Sequence, residues 1–316
     1  MSTCAKVSRD LEEPLAGTAA TARTWLLVEQ PGPWGADALT SSHLDPALGR
    51  ALEKAAEGTG VRIALIRRPG RHADRRTIAE RQVYAAHTAP GNVWLRNAVT
   101  SDPEQLLGLD FAALGGGRPG TFDKALGGRP HPGGPLALVC TNGKRDRCCA
   151  LLGRPLAAEL AASGVDGAWE VTHLGGHRFS PTLLVLPFGY AYGRAEAHAV
   201  KEVLQGVREG RVVTEGCRGG SAWERPGQAA ELAVRAAVSE DAADALDVIR
   251  TEGGEPRWEV TVAHADGRRW LVTVAQGASS PPRPASCGSV LGSPARMDVL
   301  AVRELPRTTG MDPAPR

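Results

Sequence analysis

The sequence predicts an α/β protein built from two consecutive α/β units and closed by a small C-terminal β-hairpin appendage. Three observations predict it. Short apolar runs bounded by Gly, Pro and Asp recur at strand length. Between several of them lie amphipathic stretches with helix-capping residues at their starts. Near the C-terminal end, two alternating segments flank Asp266-Gly267, a two-residue hairpin signal. Apolar residues make up 42% of the 316 and charged residues 23%, which suits a chain that buries a core without disulfides.

A polar N-terminal tail, residues 1–15, precedes the first unit, 16–114. Trp25 to Glu29 reads as a buried strand ending at the turn formers Pro31-Gly32-Pro33-Trp34-Gly35. Asp45-Pro46 supplies an N-cap and a first-turn proline; Leu48, Leu52 and Ala55 form the apolar stripe, and Gly58 and Gly60 stop the helix. Val61 to Ile66, Gln82 to Ala86 and Asn92 to Val99 read as further strands. The Gly- and Pro-rich stretch 115–135 reads as a flexible connector.

The second unit, 136–245, opens with a strand, Leu136 to Cys140, and a helix from Arg147 to Ala162 with Leu152, Leu156 and Leu160 on one face. Gly164 ends it. Ala168 to His173 and Thr182 to Leu186 follow as strands, then a helix from Ala195 to Gly206 with Val200, Val203 and Leu204 inward. The order β, α, β, β, α is that of a thioredoxin-like unit. Gly49-Arg50-Ala51-Leu52 through Gly60 is weakly similar to Gly153-Arg154-Pro155-Leu156 through Gly164, which suggests internal duplication. A helix near Gln228 to Val238 leads to the appendage, 246–305, with strands Trp258 to Val262 and Trp270 to Val274. A Pro- and Arg-rich tail, 306–316, is expected to be mobile.

Charge excludes some functions. A net +2 from 37 basic and 35 acidic side chains gives no field for nucleic acid or an anionic membrane. No apolar run of signal-peptide length occupies the first twenty residues, and Leu183 to Pro187 is too short to span a bilayer, so a cytoplasmic location is expected. Thiols stay reduced there, and the six cysteines read as ligands, reactive groups or core residues. Gly115-Gly116-Gly117 lacks the Lys-Ser/Thr of a phosphate loop.

Chemistry concentrates in Cys140-Thr-Asn-Gly-Lys-Arg-Asp-Arg-Cys148-Cys149 and His173-Leu-Gly-Gly-His177-Arg178-Phe179. Soft sulfur donors and two imidazoles make a four-ligand metal set, placed at a strand end, a helix start and a strand-to-loop turn. Gly175 and Gly176 allow both imidazoles to reach one site. Lys144, Arg145, Arg147 and Arg178 would place positive charge beside it. Two thiolates and two neutral histidines fit tetrahedral zinc as well as a bis-histidine [2Fe–2S] centre. The spacing is longer than in a zinc finger and lacks the interleaving of a Rieske site.

These two stretches, with Ser180, Leu184-Val-Leu-Pro187, Tyr192-Gly-Arg194, Arg218-Gly-Gly-Ser221 and Gln228-Ala-Ala-Glu231, resemble the sucrase/ferredoxin-like family from about Ala16 to Val238. The resemblance implies a thioredoxin-like ferredoxin domain whose [2Fe–2S] cluster has two Cys and two His ligands. In some members eight residues separate the cysteines and three the histidines, a pattern that Cys140 with Cys149 and His173 with His177 reproduces. Helical geometry puts Cys149 in line with Leu156 and turns the adjacent Cys148 about a quarter-turn away. A histidine-bound iron implies a potential above that of an all-cysteine ferredoxin, and one that depends on pH.

The expected function is single-electron transfer between a donor reductase and an acceptor protein, since no flavin or nicotinamide fingerprint is present. The alternatives are a thiol or reductive oxidoreductase and a zinc-stabilised binding protein. No catalytic residue is assigned; Ser221 has no His–Asp pair. Cys4, Cys217 and Cys287 receive no role, Arg218-Gly-Gly-Ser221 is expected to pack beside the cluster, and His43, His72, His87, His131, His198 and His264 read as solvent-facing.

Overall fold

The computed structural model describes residues 3–70 and 78–307; His72 and the tail from residue 308 onward lie outside the described residues. The first half runs α1 (Cys4–Asp10), β1 (Thr24–Glu29), α2 (Pro46–Ala56), β2 (Val61–Arg67), β3 (Arg81–His87), β4 (Trp94–Thr100), α3 (Phe111–Gly115), α4 (Gly120–Leu126) and β5 (Arg129–Pro130). The second runs β6 (Leu136–Cys140), α5 (Arg147–Ala162), β7 (Ala168–Val171), β8 (Leu183–Leu186), β9 (Tyr190–Tyr192), α6 (Ala197–Arg208), β10 (Cys217–Gly220) and α7 (Arg225–Val238). It is followed by β11 (Leu246–Gly254), β12 (Arg257–His264), β13 (Arg269–Ala278), β14 (Arg283–Pro284), β15 (Leu291–Gly292) and β16 (Ala295–Glu304).

One ten-stranded sheet carries both halves in the order β10-β9-β8-β6-β7-β2-β1-β3-β4-β5. Within each half the wiring is the same. β1 is parallel to β2 and antiparallel to β3, as β6 is parallel to β7 and antiparallel to β8. β2 and β7 join the halves antiparallel through the pairs Ile66 with Val171 and Arg67 with Glu170. The shared wiring extends the weak internal similarity of sequence to topology, with a pseudo-two-fold relation between the halves. Successive side chains of β1 alternate between the two faces, as a strand requires: Trp25 and Leu27 enter a core shared by both halves, and Leu26 and Val28 enter one under α2 to α4. A third core lies under α5 and α6.

Several expectations change. Residues expected as an N-terminal tail form α1, capped by the Thr3 side chain. The stretch 115–135 holds α4 and β5, the outermost strand at one margin of the sheet, and the halves are joined through β2 and β7. Ala55 and Leu152 face solvent; Gly49 and Gly153 take their places on the buried helix faces. The hairpin around Asp266-Gly267 is the central pair of a four-stranded antiparallel sheet, β11-β12-β13-β16, whose apolar face packs on α7. His87 is buried, with Nδ1 2.8 Å from the Thr24 hydroxyl, and His264 meets Glu240 at 2.8 Å. Among the described residues no helix is long and apolar enough to cross a membrane.

Candidate metal centre

The segments that carry the candidate ligands leave the carboxyl ends of β6 and β7. β6 is fully buried, and Cys140 is its last residue. Asp146 caps α5, its Oδ1 accepting from the Cys148 amide at 2.8 Å, so the helix starts just before the adjacent cysteines. Cys149 lies on the inward face of α5 with Gly153, Leu156 and Leu160. A Cβ at Gly153 would run into the Cys140 carbonyl oxygen, so glycine there lets α5 close onto β6 and sets Cys149 beside Cys140.

Past β7, the chain reaches His173 and turns through Gly175 (φ +80°) and Gly176 (φ +69°), conformations that glycine adopts without strain. His177 then starts a one-turn 3₁₀ helix, His177–Phe179. A Cβ at Gly176 would collide with the Arg218 guanidinium, so the turn needs glycine for space as well as for its backbone angle.

The structure brings Cys140, Cys149 and His173 together, their ligand atoms all within 4.8 Å of one another. His177 stands beside this group, its ring centroid 5.3 Å from that of His173. Its Nε2 lies 2.9 Å from the Ala285 carbonyl oxygen, which can only accept, so Nε2 carries the proton and Nδ1 presents a lone pair. Nδ1 of His173 and of His177 are both buried without a hydrogen-bond partner. Buried polar atoms are normally satisfied, so two orphaned imidazole nitrogens beside paired thiols fit a bound metal group. Cys148, the alternative second thiolate, lies instead against Cys4 and Cys287.

Electrostatics suit the same group. The Cys140 thiol is held well below the ordinary range, mainly by the hydrogen bond from Cys149 and also by His173, against the cost of burial. Cys149 is pushed up by the same bond, by burial and by the charge on Cys140. One proton is thus shared between two sulfurs. Burial pushes His177 down, with His173 and Arg178 adding to this and Asp146 opposing it, which favours the neutral ligand form.

The nearby positive charge comes from residues other than the loop cations. Lys144, Arg145 and Arg147 are exposed, and Arg178 pairs with buried Glu13 at 2.8 Å. Arg218 is fully buried and donates to the Gly175 carbonyl at 3.2 Å and to the Thr18 hydroxyl at 3.0 Å. Burial, then Arg178, pushes it down to about 10. Arg62 donates to the His173 carbonyl at 2.9 Å. The expected packing role of the Arg218 segment is therefore joined to a buried cation. Arg62 escaped the sequence reading, although an arginine inside the apolar strand Val61–Arg67 was a signal.

The remaining motif residues hold the frame. Arg178, Arg194 and Arg218 surround the buried Phe179 ring at 4.4, 5.8 and 5.5 Å. Gln228 exchanges hydrogen bonds with the Ala19 backbone, and Glu231 accepts from the Tyr190 hydroxyl at 2.7 Å and pairs with Arg235. A family model described as sucrase/ferredoxin-like matches residues 15–219. No curated protein and no solved structure matches the chain.

Proposed function

Because the chain belongs to the sucrase/ferredoxin-like family, we propose that Cys140, Cys149, His173 and His177 hold a [2Fe–2S] cluster and that the protein carries single electrons between partners. The observation that carries this reading is the convergence of two buried thiols on the half-buried His173, with the half-buried His177 beside them and the Nδ1 atom of each ring buried without a hydrogen-bond partner. A cluster so bound supplies one-electron transfer at a potential above that of an all-cysteine ferredoxin.

The protein's own residues set the conditions. Ala285 holds the His177 Nε2 proton and fixes the ring's tautomer. Arg62 and Arg218 anchor the backbone of the histidine turn and bring positive charge that favours the more negative, reduced state. The exposed Lys144, Arg145 and Arg147 on the loop between the two cysteines favour a donor reductase or acceptor protein with an acidic face. A reducing compartment such as the cytoplasm keeps the thiols available.

Zinc on the same residues is the second reading, favoured by three ligand atoms close enough for a single ion. Metal analysis and visible spectroscopy of aerobically purified protein separate the two. The cluster gives red-brown protein with iron and sulfide in equal amounts, bleached by dithionite and colourless in Cys140→Ser. Colourless wild-type protein with zinc at these residues overturns the cluster.

A further inference from the structure

Among the described residues a second group of side chains able to hold a metal ion adjoins the proposed cluster ligands without sharing any of them: Cys4, Cys148, Cys287 and Asp146, whose Oδ2 lies 3.7 Å from the His177 Nε2. They come from α1, the first turn of α5 and the loop between β14 and β15, segments more than a hundred residues apart in sequence. The three sulfurs form a triangle with sides of 3.5 Å (Cys4 to Cys148), 3.6 Å (Cys4 to Cys287) and 3.2 Å (Cys148 to Cys287). Both Asp146 oxygens lie 3.9 Å from the Cys4 sulfur.

These distances can be compared with what each chemistry demands. A disulfide needs sulfurs about 2.05 Å apart. A tetrahedral zinc ion with Zn–S of about 2.3 Å and Zn–O of about 2.1 Å requires S···S edges of about 3.8 Å and S···O edges of about 3.6 Å. The two Cys4 sulfur edges and the Cys4–Asp146 approach lie within about 0.3 Å of the zinc tetrahedron, and the Cys148–Cys287 edge is about 0.6 Å shorter, so that pair must part when the ion enters. A [2Fe–2S] cluster would hold its outer ligand pairs farther apart than this single triangle permits.

Asp146 is already aimed. Its Oδ1 accepts from the Cys148 amide and its Oδ2 from the Cys287 amide, each at 2.8 Å, and the residue is buried. A carboxylate oxygen that accepts one hydrogen bond keeps a second lone pair for a metal. Soft thiolates with one hard oxygen suit Zn²⁺ better than Mg²⁺ or Ca²⁺.

We propose that Cys4, Cys148, Cys287 and Asp146 form a second metal site that binds zinc tetrahedrally. Such an ion ties α1 and the β14–β15 loop to the start of α5. The carbonyl that receives the His177 ring proton belongs to Ala285, two residues before Cys287, so the zinc also holds the surface against which His177 is oriented. That last consequence rests on the cluster reading; the zinc site itself does not.

Full-length protein produced with zinc and iron supplied is the material for the test. Zinc-edge X-ray absorption on the wild type is expected to show a shell of three sulfurs and one oxygen, and metal analysis stoichiometric zinc. C4S/C287S is expected to lose that zinc while keeping iron, and C140S/C149S to lose iron while keeping zinc. If the four cluster ligands hold zinc instead of iron, the wild type carries two zinc ions and C4S/C287S removes one, which supports this site while sinking the other reading. Wild-type protein free of zinc, C140S/C149S protein whose zinc lacks a shell of three sulfurs and one oxygen, a metal-free Cys148–Cys287 disulfide found by mass spectrometry, or C4S/C287S with its zinc complement intact overturns the proposal.

Discussion

Replacing Gly153 by Ala tests how the fold sets Cys149 beside Cys140. The added methyl meets the Cys140 carbonyl, which is backbone and cannot swing aside. An ordinary C···O approach is ~3.3 Å, so α5 must back away from β6 by on the order of 1 Å. Overpacking of this kind costs about 1–3 kcal/mol, and a backbone obstacle puts it at the upper end. Alanine returns about 1 kcal/mol of helix propensity, which leaves a net loss of about 2 kcal/mol. At about 2–4 °C per kcal/mol for a chain of this class, the melting temperature falls by about 4–8 °C. Because the retreat carries Cys149 away from Cys140, the iron-to-protein ratio falls with it. Thermal unfolding and iron analysis are run beside Gly120→Ala, whose Cβ meets nothing within 4 Å and which should stay within about 0.5 kcal/mol of wild type. A Gly153→Ala protein with wild-type melting and full iron would refute this account of the site.

Four further outcomes are expected. His177→Cys keeps a coloured protein and lowers its potential in spectroelectrochemical titration, because thiolate replaces imidazole on one iron. The wild-type potential falls as pH rises, since loss of a ring proton favours the oxidised form; a flat profile between about pH 6 and 9 would exclude histidine ligation. Arg218→Gln also lowers the potential by removing a buried positive charge, and an unchanged value would leave Arg218 only a packing role. Glu170→Gln weakens the buried pair with Arg67 (2.7 Å) and is expected to cost about 3 kcal/mol in denaturant unfolding, whereas a loss under about 1 kcal/mol would show that the seam between the halves does not depend on it.

Where local chemistry governs, the sequence was readable. The apolar run Leu136–Cys140 and the Asp146 cap delimit β6 and α5, so the bounds read from the residues match the structure. β10 was invisible because Cys217–Gly220 is half glycine, and its pairing with β9 supplies what propensity does not. β11 carries mostly exposed residues, and its register with β12 comes from the neighbouring strand. In the candidate metal centre, the proposed cysteine and histidine ligands stand in two short motifs. Their buried cations and the Ala285 carbonyl are contributed by distant segments. The second cysteine group had no legible spacing, since Cys4 and Cys287 are 283 residues apart.

The two ends of the large sheet are also informative. One ends in Arg129–Pro130, and proline offers no N–H to a further strand. The other, β10, breaks register between Cys217 and Gly219 and is covered at Gly219 by Gln228 of α7. A long sheet ordinarily presents a row of unpaired amides and carbonyls that recruits foreign chains. Here a missing donor at Pro130 blunts the short outer strand of one margin and a covered bulge blunts the other, so neither end offers a long, regular edge strand.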